Sequence, residues 1–291
     1  MRKKREAKTD FTEAKLPHSR VEVFFDCFKL RFLTFMRLGA TLLLSVLPLI
    51  AIWIARDLMI ADAFGNAADT AVAARNAQGA LLFFDVLAIP FYAVASVGFA
   101  GVMRVIRALA WGEPVFYRRD TLDGIKLNGK IFAFVFTVAG AVSFCVDLAM
   151  QSPCHVIVKG LCVGISLVLL LPLGLLILMQ ATVYKIGFGE ALKNSFLFYV
   201  KTAPATLLAT ACMALPVLFL LIPNTVVKHI VIACYVLLLM PFALLGWFLY
   251  GCRVLDKYVN SYYHAEIVDK GIYRLDKEEM RLLKESKKKK K

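Results

Sequence analysis

Long apolar runs alternate with short polar, mostly basic blocks along the 291 residues of the chain. A helix needs about 20 mostly apolar residues to cross roughly 30 Å of hydrocarbon. Six runs meet that length: 38–55, 80–103, 131–150, 160–183, 204–222 and 231–250. Ahead of the first, Val21, Phe24, Phe25, Phe28, Phe32, Phe35 and Met36 recur mostly three and four apart, with Glu22, Asp26, Lys29 and Arg31 between them. That spacing predicts an amphipathic helix. It suits lying in the membrane interface and packing on the protein's own core equally well.

The plan centres on GFAGVMRVIRALAWGEPVFYRRDTLDGIKLNGK, residues 98–130. An apolar run ends in Arg104 and Arg107, a Trp111-Gly112-Glu113-Pro114 turn follows, and a basic amphipathic segment leads into the next run. A weaker copy, Phe188-Gly189-Glu190 followed by ALKNSFLFYVK, precedes the fifth run. The pattern predicts three helical hairpins in one orientation, each entered through a separate interfacial helix. Residues 56–79 are expected to form the main loop on the opposite side, partly helical, and Ser152-Pro153 a short turn. Residues 1–20 read as a disordered basic tail, 21–260 as a six-helix transmembrane domain, and 261–291 as a basic tail ending in KESKKKKK. None of the apolar runs reads as a removable signal peptide, because the first begins only after 37 residues.

Composition sharpens this class. The chain is 60% hydrophobic and 19% charged, with a net charge of +14, far more apolar than a soluble domain. The positive balance does not indicate nucleic acid. Lys and Arg number 10 in residues 1–37, 6 in 104–130, 3 in 185–201 and 12 in 253–291. Between these blocks stand only Arg56, Arg75, Lys159 and Lys228. Basic residues on alternate loops follow the positive-inside rule, which predicts a plasma-membrane protein with both termini cytoplasmic. The basic tails also suit anionic lipid. The seven cysteines form no Cys-x-x-Cys pair; Cys154 and Cys162 are the one candidate disulfide.

Candidate chemistry is sparse. Asp85 sits inside an apolar run, where an acid is costly and marks a functional site by default; pairing near the outer surface is the structural alternative. Pro48, Pro90, Pro172, Pro216 and Pro241 interrupt five of the six runs, as in transporters with broken helices and also in ordinary membrane helices. Trp111, Gly112, Glu113, Arg118 and Arg119 form the candidate docking element. Helix-turn chemistry explains Gly112 and Glu113 as well. Motifs of the common hydrolases, P-loop enzymes and dinucleotide-binding enzymes are absent, so a non-enzymatic protein without cofactor or metal is expected.

The stretches GVMRVIRALAWGEPVFYRRDTLDGIKLNGK, GFGEALKNSFLFYVKT and VLDKYVNSYYHAEIVDKGIY resemble the YesL-like family of bacterial integral membrane proteins, across residues 24–273. That family is a domain of unknown function, and its genes often lie near carbohydrate uptake and degradation systems. The resemblance implies an accessory role in sugar uptake, with transporter or sensor subunits as partners. It supplies no functional residue to carry over. Residues alone leave a second function open, a small-solute transporter using Asp85 and the proline-kinked helices.

Overall fold

The computed structural model describes residues 16–66, 69–153 and 155–273. The remaining tail residues and Cys154, one half of the candidate disulfide, lie outside the described residues. Among those described, every regular element is helical. Helix α1 (Arg20–Leu30) is followed by α2 (Phe32–Asn66), α3 (Thr70–Ala110) and α4 (Tyr117–Gln151). Then come α5 (Val156–Ile165), a π-helical turn (Ser166–Leu170), α6 (Leu171–Val183) and α7 (Phe188–Ala214). A 3₁₀ turn (Leu215–Leu221), α8 (Thr225–Leu238) and α9 (Met240–Leu255) complete the passes. Five helical rods are long and apolar enough to cross a membrane, and α8 with α9, bent by 52°, brings the number to six where the pair is one broken span. The chain is therefore an all-α polytopic membrane protein.

Short polar caps start these helices. Ser19 Oγ accepts from Glu22 N, Asp69 Oδ1 from Ala71 N, and Asn224 Oδ1 from Val227 N, each satisfying an amide that the helix start leaves free. The end of α3 is closed by Gly112 at φ +67°, with Glu113 N donating to Ala108 O at 2.9 Å. This is the six-to-one bond of a Schellman turn, and only glycine adopts its left-handed residue without strain.

In hydrocarbon no water replaces a lost backbone hydrogen bond, so each proline leaves a carbonyl to be answered by a neighbour. Pro172 frees the carbonyl of Val168 within the π-helical turn, and Tyr199 Oη of α7 donates to it at 2.6 Å. Pro241 frees Leu237 O at the α8–α9 bend, and α2 presses against it at Gly39. A Cβ built at Gly39 would stand 1.8 Å from that oxygen. Near Pro204 the strain opens Thr202 to φ −128°, ψ 20°, kinking α7.

The core gathers around the second half of α3. Val102, Val105 and Ile106 are fully buried there, beside Leu38 and Leu42 of α2, Leu176 and Met179 of α6, and Leu245 and Phe248 of α9. Phe242 stacks on Phe35 with ring centres 4.4 Å apart. The expected run of small residues serves close packing: Gly98 meets Ser45 of α2, and Gly124 of α4 meets Ala100 O and Arg104 of α3.

Two sequence expectations change. The helical part of residues 56–79 is larger than expected, because α2 runs on to Asn66 and α3 begins at Thr70. The alanine-rich sequence favours helix on both sides of Asp69. Nor is each hairpin entered through a separate interfacial helix. Only α1 stands alone; residues 117–130 continue straight into the third pass, and 188–201 join the fifth across the Thr202 kink. No proline interrupts 117–151, and buried Gly124 and Asn128 hold that segment on α3 instead of in lipid. Helix α1 turns Val23 and Cys27 into the core while Val21, Phe25 and Phe28 remain exposed, so the core-packing reading holds for one face of the helix.

A Gly39→Ala variant should destabilise the protein by about 1–3 kcal/mol through overpacking at the bend. Gly160→Ala, which has open space around its Cβ, should be neutral or slightly stabilising; chemical unfolding in detergent micelles compares them. Burial, with Asp26 adding to it, pushes the Cys27 thiol up to about 11. Since the thiolate is the reactive form, a variant retaining only Cys27 should label with a small maleimide at pH 8 on the order of a hundredfold more slowly than an unperturbed thiol. Fast labelling would show α1 detached from the core.

Candidate functional site

The candidate residues fall at opposite ends of the helical bundle. At the end away from the chain termini, α2, α3, α4 and α8 bring five charges together. Arg56 Nη1 lies 3.0 Å from Asp85 Oδ1 and 3.9 Å from Asp147 Oδ2, while its Nε lies 3.5 Å from Asp57 Oδ1. Lys228 Nζ donates to Asp57 Oδ2. Asp85 is thus a buried, paired acid, the arrangement that an ion inside an apolar protein requires. Its Oδ2 is buried without a hydrogen-bond partner. Around the cluster, Trp53 meets Tyr92 edge-on and Gly140 of α4 packs against the Tyr92 ring.

At the terminus end the Trp111 turn is held by the chain's own last described segment. Lys270 Nζ lies 2.6 Å from Glu113 Oε1 and 4.5 Å from the centre of the Trp111 ring. The Arg107 guanidinium lies 4.7 Å from the same ring centre and donates to Thr182 O at 3.1 Å. Two cations on one indole form cation–π contacts that tie α3 to α6 and to residues 270–271. Gly271, at φ +85°, passes so close that an added Cβ would stand 2.2 Å from Ala110 O. Arg20 of α1 then clamps the segment, with Nη1 to Lys270 O at 2.9 Å and Nη2 to Asp256 Oδ2 at 2.7 Å. Tyr273 N donates to Pro17 O at 2.9 Å, so the two ends of the described chain meet. Beneath them, burial and the nearby Asp256 push the Tyr184 phenol above its ordinary value. It stays protonated and donates to Asn260 Oδ1, whose amide donates to Asp256 Oδ1 at 2.7 Å.

Of the five expected docking residues, Trp111 and Glu113 are engaged within the chain and Gly112 makes the turn. Arg118 and Arg119 are exposed on the first turn of α4, where Asp123 offers Arg119 only a 3.8 Å solvent-facing contact. Such a pair contributes little. With Phe116, Tyr117, Leu122 and Lys126 they line a shallow, open depression of about 650 Å³. Sequence reasoning did not bring Arg56, Asp57 and Lys228 to Asp85, or Arg20, Asp256 and Lys270 to the Trp111 turn. Arg56 and Lys228 did carry a signal, as two of the four basic residues outside the basic blocks.

No group of three or more His, Cys, Asp or Glu side chains suited to a metal ion occurs among the described residues. No family model, curated protein or solved structure matches the chain.

Removing Arg56 leaves Asp85 buried and unpaired, a change that costs about 3–5 kcal/mol in comparable sites. Arg56→Gln should therefore unfold at markedly lower denaturant in micelles. The exposed Arg119→Gln should fall within about 0.5 kcal/mol of the parent protein.

Proposed function

We propose that the protein is a non-enzymatic accessory subunit of the plasma membrane, with both termini in the cytoplasm, which docks onto a transporter or sensor complex through the start of α4. The observation that carries this reading is the exposed array of Phe116, Arg118, Arg119 and Leu122. Helix α4 has 35 residues, about 52 Å at 1.5 Å per residue, so its first turns stand clear of roughly 30 Å of hydrocarbon. An exposed apolar pair flanking two arginines suits a protein surface with acidic residues, since arginine and aromatic side chains are enriched in interface cores. The alternate-loop bias of Lys and Arg supports the orientation. The resemblance to the YesL-like family supports carbohydrate uptake as the setting, while anionic lipids suit the basic tails.

A second reading, a small-solute transporter, draws on the three interrupted passes: the π-helical turn at 166–170, the kink at Thr202 and the 52° bend at Leu239. Breaks of this kind build sites in known transporters. The tight pairing of Asp85 with Arg56 gives that residue a structural use and favours the first reading.

Gentle purification of the tagged protein from its own membranes, followed by mass spectrometry, separates the two. Stoichiometric recovery of permease or sensor subunits, reduced at least tenfold by Arg118→Glu with Arg119→Glu, is the expected outcome. Recovery of the chain alone across several detergents, with solute uptake abolished by Asp85→Asn, would overturn it.

A further inference from the structure

The charges at the far end of the bundle do not balance. Asp57, Asp85 and Asp147 face two cations, Arg56 and Lys228. Lys228 is committed to Asp57, so a single guanidinium is left to answer both Asp85 and Asp147. The Asp85 side chain is only 5% exposed and its Oδ2 is buried without a partner, while Arg56 Nε, turned toward Asp57 Oδ1 at 3.5 Å, makes no hydrogen bond to it either. Gln151 Oε1, one turn along α4 from Asp147, is a further buried acceptor without a partner, whereas three other polar groups at this end are engaged elsewhere. Lys159 of α5 donates to Met150 O at 2.8 Å and His229 of α8 bonds Thr225 O at 2.8 Å. Tyr92 of α3 pairs with Ser143 of α4.

A surplus negative charge among apolar helices is costly unless a counter-charge joins it. The smallest such charge is a proton. Asp57 and Asp85 each have a close cation, whereas Asp147 has only the 3.9 Å approach of Arg56. Its side chain is also 37% exposed and so within reach of water. We propose that this cluster is a proton-binding site, with the proton carried on the Asp147 carboxyl and exchanged with the aqueous phase at the far end. With the proton bound, Arg56 pairs with Asp85 and Lys228 with Asp57, and every charge is matched. With it released, Asp147 competes with Asp85 for Arg56 and draws the end of α4 toward α2. Proton occupancy therefore sets how the α4 end is held. This proposal stands apart from the docking reading, since it uses the opposite end of the bundle.

The test is infrared difference spectroscopy of the full chain in lipid nanodiscs across a pH jump, combined with potentiometric counting of bound protons. The wild type should show a protonated-carboxyl C=O band at neutral pH that shifts in heavy water. Asp147→Asn should lose that band and bind one proton fewer, and Asp147→Glu should restore it at a displaced frequency. Asp147→Asn imitates the protonated form, so it should fold as well as the parent. Absence of the band in the wild type, its survival in Asp147→Asn, or failure of that variant to fold would each overturn the proposal. So would stabilisation by sodium at constant pH without a protonated-carboxyl band.

Discussion

Lipid supplies no hydrogen bonds, and the architecture follows from meeting that constraint. A continuous helix satisfies its own backbone, but the prolines of this chain break the pattern at several depths. Neighbouring helices meet the broken places, as when Tyr199 reaches Val168 O beside Pro172 and the bare backbone at Gly39 closes on Leu237 O beside Pro241. Kinks and packing are therefore one feature.

Charge is handled by sorting it to the two ends. At the terminus end, Arg20, Asp256, Lys270 and Glu113 join α1, the α3–α4 turn and the last described residues into a closed strap over Trp111. At the far end, Arg56 and Lys228 gather three carboxylates from α2, α3 and α4. Between the two lies the apolar packing of α3 against α2, α4, α6 and α9. The ends differ in what they leave over. The strap uses up the Trp111 turn and exposes Arg118 and Arg119, whereas the far cluster holds more negative charge than positive.

That contrast bears on function. An acid in an apolar run invites a transport reading while it is viewed alone, and Asp85 acquires a structural use once Arg56 lies 3.0 Å away. Asp147 gains interest for the opposite reason, having the weakest compensation and the freest access to water. The Trp111 turn loses exposed side chains to the strap, while Arg118 and Arg119 at the start of α4 stay exposed.

The sequence by itself determined the all-α membrane class, the order of the apolar runs and their apolar cores. Those properties depend on local composition summed over about 20 residues, and each run could be read without its neighbours. It also determined the small-residue face of α3 and the glycine turn at Gly112, because both are written in consecutive residues. Only the tertiary structure decided that helix extends to Asn66 and resumes at Thr70, that 117–130 belongs to the third pass, and which charges meet. Arg56 and Asp147 are 91 positions apart and Arg20 and Asp256 are 236 apart. Their pairing depends on helix rotation and depth, which close packing among all the helices sets and no local pattern records.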